Sequence, residues 1–365
     1  MMPEWFAFLL GVLLLHSIRG GGTSSGGLDN SSSMATGPPM GRWMPGPYNV
    51  DVLEAVVDLP KEGASRRVMR GNNMTIYVTY PVSLSDSDGG DASDGSVAMP
   101  VLIFYNGFQG RASWYEATVQ NMASWGYVCL QYNLPALSLV SVSEEEELFP
   151  VMNDWIQNGG LAKALDGPKA GAYGYVDPSR LVVGGHSRGG KIAGLLFAEN
   201  KDIKAAWLVD PVDTSQFAPV SAENPSAVVA LKKSKKKIGV AGASILSSCN
   251  PTEGNYNAFF DAGAAGSWKV LMNETSHSQF SDGGTVTNRL QDGLCGKGTA
   301  TRKYVQDTMA TCMLSWFWEN LNQILSDGNK GKEAALAPPW DPLPQFFEWI
   351  RVQSRQKRLE FEVKL

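Results

Sequence analysis

Ser187 draws attention because of its immediate neighbours. It sits in Gly185-His186-Ser187-Arg188-Gly189, a G-x-S-x-G pattern. An apolar run (RLVVG, residues 180–184) leads into it and a glycine-rich helix start (GGKIAGLLFA, residues 189–198) leads out. A serine on so sharp a strand-to-helix turn stands at the edge of a sheet, where adjacent backbone N–H groups favour developing negative charge. The chemistry this suits is nucleophilic acyl transfer. A serine hydroxyl is weak by itself, so a base must lie within hydrogen-bond reach.

The chain has three histidines. His16 lies at the edge of an N-terminal apolar run. His186 adjoins the serine on a turn too tight to swing back onto its hydroxyl, and reads as a structural group. His277 remains, in a polar loop (NETSHSQFSDGG, residues 273–284), and is expected to be the general base. An acid must then orient the imidazole and stabilise its cation. Asp210 follows the apolar run AAWLV (residues 205–209) and is the first choice, with Asp213 as a substitute and Glu253 as a more distant one. A tetrahedral oxyanion needs two N–H donors. One is expected from Arg188, directly after the serine, and the other from Phe108, since Asn106-Gly107-Phe108 follows the apolar run AMPVLIFY (residues 98–105). No metal or other cofactor is called for.

Elements that could hold such a site alternate along the chain. Strands are expected at residues 74–82, 98–105, 127–132, 180–184, 205–209, 238–246 and, as the last, 268–272. Helices are expected at 114–125, 151–165, 189–199 and 302–324. The last of these carries Val305, Met309, Met313, Trp316 and Phe317 on one face. Short, continuously apolar strands separated by helices predict a mainly parallel sheet covered on both sides. The order serine, aspartate, histidine is that of the α/β-hydrolase fold. Glu144–Glu147 read as a solvated helix start, and Lys232–Lys237 as a solvated helix end.

The net charge of −5 and the pI near 5.4 argue against a nucleic-acid partner. Residues 5–15 (WFAFLLGVLLL) are too short to span a bilayer, which takes about twenty residues, and fit a secretory signal. The expected organisation is a signal over residues 1–20, a linker or targeting extension over 21–47, the catalytic domain over 48–327, and a loosely packed C-terminal extension over 328–365. Four cysteines permit two disulfides in three pairings. Cys129 and Cys312, in apolar stretches, also read as buried thiols.

Several segments together resemble the chlorophyllase family. GHSRGGK (residues 185–191) has the family's arginine after the serine, and VDPVD (209–213) is similar to the segment carrying its aspartate, which puts the acid at Asp210. YNGFQGRASWY (105–115) resembles the oxyanion segment, with Asn106 where the family has histidine. The resemblance spans roughly residues 95–285. It implies hydrolysis of the phytyl ester of chlorophyll, a small-molecule substrate needing an apolar groove that Phe108, Trp114 and Tyr115 would line. The N-terminal signal leading into a Gly/Ser tract suits a plastid reached through the ER, with secretion as the alternative, and peripheral membrane contact is expected. A secreted lipid or polyester esterase is the alternative enzyme reading, and a non-catalytic pigment or hormone binder the reading from another class.

Overall fold

A computed structural model describes residues 46–82, 98–166, 174–216, 218–328 and 343–365. The expected signal, nearly all of the 21–47 extension and the loop between residues 83 and 97 lie outside the described residues. Nine strands form one sheet: β1 (Asn49–Asp58), β2 (Asn73–Val82), β3 (Ala98–Tyr105), β4 (Val128–Tyr132), β5 (Tyr175–His186), β6 (Ile203–Val209), β7 (Gly239–Ile245), β8 (Trp268–Ser276) and β9 (Leu359–Val363). Their spatial order is β1-β2-β4-β3-β5-β6-β7-β8-β9. The run from β4 to β8 is parallel, while β1, β2 and β9 are antiparallel to their neighbours.

The continuously apolar strands have the burial their composition demands. All eight residues of β3 are buried, and they alternate between the two faces. Val101, Ile103 and Tyr105 join the core beneath helices Leu148–Gln157, Arg188–Glu199 and Ala227–Ser234. Leu102 and Phe104 join the core beneath helices Glu116–Ser124, Arg302–Gly328 and Leu343–Arg355. Each such fully buried side chain stabilises the fold by about 1.5–3 kcal/mol. Helix Arg302–Gly328 buries Val305, Met309, Met313, Trp316 and Phe317, the face its spacing predicts.

Three expectations need correction. The strand at Trp268 is longer than expected and is not the last. Residues 343–363, read as a loose extension, supply a helix and the antiparallel edge strand β9. Phe346 there is fully buried and stacks on Trp268 with ring centroids 5.4 Å apart, while Ile350 and Leu359 are also buried. Composition hid this because charged residues, among them Arg351, Arg355, Lys357, Arg358, Glu360 and Glu362, are interspersed with the apolar ones, of which Phe346, Ile350 and Leu359 face inward. Finally, Glu144–Glu147 are not simply a solvated helix start. Glu144 closes a capping box with Ser141, and Glu145 is buried against Arg188.

One disulfide forms, Cys249–Cys295, with an S–S distance of 2.04 Å. Cys129 and Cys312 are buried free thiols. Among the described residues no helix is long and apolar enough to cross a membrane.

Candidate active site

Parallel strands end on a common edge, so the loops after β3, β4, β5, β6, β7 and β8 converge there. Ser187 lies between β5 and helix Arg188–Glu199, with φ 59° and ψ −122°. That backbone costs a residue bearing a side chain about 1–3 kcal/mol and persists only where its surroundings enforce it. Here they do. Ser187 N–H donates to Val209 O at 2.9 Å, and Gly189 packs so closely on β3 that a Cβ there would strike the Tyr105 carbonyl.

Ser187 Oγ is 2.9 Å from His277 Nε2, and His277 Nδ1 is 2.7 Å from Asp210 Oδ2. His277 lies not far out in a loop but immediately after β8, in the 3-10 turn His277–Phe280. Asp210, directly after β6, is fully buried with φ 38°. Its Oδ1 accepts from Ala243 N at 3.0 Å and its Oδ2 from Asn250 Nδ2 at 3.2 Å. A buried carboxylate is tolerable only with such donors. Because the carboxylate can only accept, His277 Nδ1 carries the proton and Nε2 faces Ser187 with a free lone pair.

The alternatives for the acid fall elsewhere. Asp213 is buried but serves helix Ala227–Ser234, accepting from Ala227 N at 2.7 Å and Ser226 Oγ at 2.6 Å, with Lys191 Nζ at 3.9 Å. Glu253 is exposed in the turn Thr252–Gly254.

Arg188 opens its helix, where the first backbone N–H groups have no partner within the helix. Its side chain turns away from solvent, pairing with Glu145 and donating to Val140 O at 2.9 Å and Ser141 O at 3.0 Å. Tyr132 donates to the other Glu145 oxygen at 2.7 Å. The loop after β4 is thereby fastened beside the serine. Asn106 is fastened likewise, donating to Tyr132 O at 2.7 Å and accepting from Gln131 at 3.0 Å. Gly107 N–H donates to the Tyr115 hydroxyl at 3.0 Å and is committed there, whereas Phe108 follows with its side chain 48% exposed.

Tyr115 departs from expectation. It is 2% exposed, packed in the core against Phe104, so its ring cannot form a groove wall. A hydroxyl with two inward partners accounts for its position. Trp114 is half-buried. Sequence reasoning missed Asn250, and nothing in the residues around it marks it as a donor to Asp210. Among the described residues no cluster of three or more His, Cys, Asp or Glu could hold a metal ion.

Comparison with known proteins follows the same direction. A family profile described as chlorophyllase matches residues 92–339, about two thirds of the chain. A solved structure, a ferulic acid esterase from Streptomyces cinnamoneus, superposes with a TM-score of 0.50 at 16% identity, covering 81% of this chain and 97% of its own. That likeness is one of fold. No individually curated protein matches. Profile and architecture together make this an ester hydrolase of the α/β-hydrolase superfamily.

Proposed function

We infer that this chain, which belongs to the chlorophyllase family, hydrolyses the phytyl ester of chlorophyll to chlorophyllide and phytol through an acyl-enzyme. The observation that carries the reading is the continuous line from Ser187 through His277 to Asp210, at 2.9 and 2.7 Å. His277 Nε2 takes the Ser187 proton as Oγ attacks the propionate ester carbonyl. The Arg188 and Phe108 N–H groups receive the oxyanion. The intermediate collapses as His277 returns the proton to the departing phytol oxygen. Water then repeats the sequence on the acyl-enzyme, releasing the acid and free Ser187.

Apolar side chains on the same edge support a hydrophobic substrate. Phe108 after β3, Leu139 after β4 and Leu246 after β7 are 48%, 56% and 44% exposed. Such residues also favour peripheral contact with the membrane in which a phytyl ester resides. The Cys249–Cys295 disulfide supports a route through an oxidising compartment, in keeping with the ER-to-plastid expectation.

The test is incubation of the purified protein with chlorophyll a, following chlorophyllide by chromatography beside a series of short acyl esters. Chlorophyllide formed by the wild type and not by Ser187→Ala is expected. Turnover of short esters with no chlorophyllide would instead make this a general lipid or polyester esterase.

A further inference from the structure

His186 and Tyr115 are not used by the mechanism above, yet they link two of its loops. His186 Nε2 is 3.1 Å from His277 O. His186 Nδ1 is 2.9 Å from the Tyr115 hydroxyl, and that hydroxyl lies 3.0 Å from Gly107 N. His186 is 5% and Tyr115 2% exposed, so water does not complete their hydrogen bonds.

Each proton in this line has one position. The His277 carbonyl only accepts, so His186 Nε2 must donate. Burial, with the His277 ring beside it, pushes the His186 pKa well below the usual imidazole value and keeps the ring neutral. Nδ1 is then a bare lone pair, so Tyr115 O–H donates to it. The Tyr115 oxygen in turn accepts from Gly107 N–H. Burial holds the phenol protonated by raising its pKa far above 10.0. A Cβ on Gly107 would stand 3.0 Å from the Tyr115 hydroxyl and 3.3 Å from His186 Nδ1, so this residue's lack of a side chain lets the line close.

We propose that Tyr115 and His186 are positioning residues, which lock the loop offering Phe108 N–H to the loop carrying His277 through one directional hydrogen-bond line, Gly107 N–H to Tyr115 to His186 to His277 C=O. Oxyanion donor and general base are then held in register by the same side chains. Both residues are buried away from solvent, so loss of the line should affect the chemical step and leave ground-state binding alone. This extends the esterase reading and rests on it for its kinetic arm.

Tyr115→Phe keeps the ring packed against Phe104, with centroids 5.2 Å apart, and removes only the hydroxyl. On 4-nitrophenyl acyl esters it should lower kcat about tenfold with KM unchanged. His186→Phe should lower kcat by at least as much. His186→Gln, whose amide can still donate to His277 O, should recover part of that loss. The Tyr115→Phe/His186→Phe pair should be no worse than His186→Phe alone, because both changes cut one line. Wild-type kcat in Tyr115→Phe, or losses that multiply in the pair, would overturn the proposal. A non-kinetic arm uses the wild type, with His186 assigned by comparison with His186→Gln. Nitrogen-15 NMR should find His186 as the neutral Nε2–H tautomer, and an Nδ1–H or charged ring would equally overturn it. A wild type inert towards all esters but showing this tautomer would sink the esterase reading and leave the hydrogen-bond order intact.

Discussion

At the residue scale, two neighbouring aspartates face different partners. Asp210 and Asp213 are both buried after β6, but Asp210 faces His277 and Asp213 faces a helix N-terminus. Asp210→Asn should leave the melting temperature nearly unchanged while lowering kcat by about 10⁴-fold, because the amide no longer fixes the histidine tautomer. Asp213→Asn should do the reverse. It weakens the cap on helix Ala227–Ser234 and leaves buried Lys191 without its carboxylate, costing about 3 kcal/mol of stability and little activity per folded molecule. Thermal melts and ester kinetics on the two variants check both statements. That Ser187, Asp210 and His277 come together was legible because strand ends and a shortage of histidines constrain them. The role of Asp213 was not, since a capping carboxylate and a catalytic one look alike until the partner helix is in place. Asn250 was invisible for a similar reason, because its link to Asp210 crosses 40 residues.

At the element scale, the loop after β7 and helix Gly284–Cys295 brace the site from behind. Cys249 precedes Asn250, the donor to Asp210, while Asp292 on the helix accepts from Ser278 Oγ at 2.8 Å, next to His277. The disulfide joins these two supports across a separation of 46 residues, and the chain-entropy argument assigns such a closure about 4 kcal/mol. Cys249→Ser/Cys295→Ser should therefore melt earlier and lose kcat, and differential scanning calorimetry with ester assays reads both. Spacing left this pairing open because neither cysteine has a nearby partner in sequence. A second device is visible in helix Val142–Glu146. Burial, and then the nearby Glu199 charge, push the Glu146 carboxyl from 4.5 to about 7. The folded state thus holds this proton more tightly than the unfolded chain. Its contribution is full below pH 4.5 and is lost as pH rises through about 7. Glu146→Gln should flatten the fall in melting temperature across that window, and melts recorded at successive pH values will test this.

At the scale of the whole molecule, the sheet is closed at one end by β9, which sequence patterning did not reveal. The parallel centre was legible because its strands are apolar throughout. The edge was not, because two of the five residues of LEFEV (residues 359–363) are charged and the segment shows its role only when paired with β8. Deleting residues 343–365 should expose Trp268 and leave β8 as a bare edge, giving an insoluble or aggregating product on expression. The same sheet brings six loops to one edge, around Ser187. The most direct measurement is intact and peptide mass spectrometry after treatment with a fluorophosphonate. A single adduct on the peptide containing Ser187, absent in Ser187→Ala and strongly slowed in His277→Ala, is predicted. A folded wild type that takes no adduct, or takes one at another serine, would contradict it.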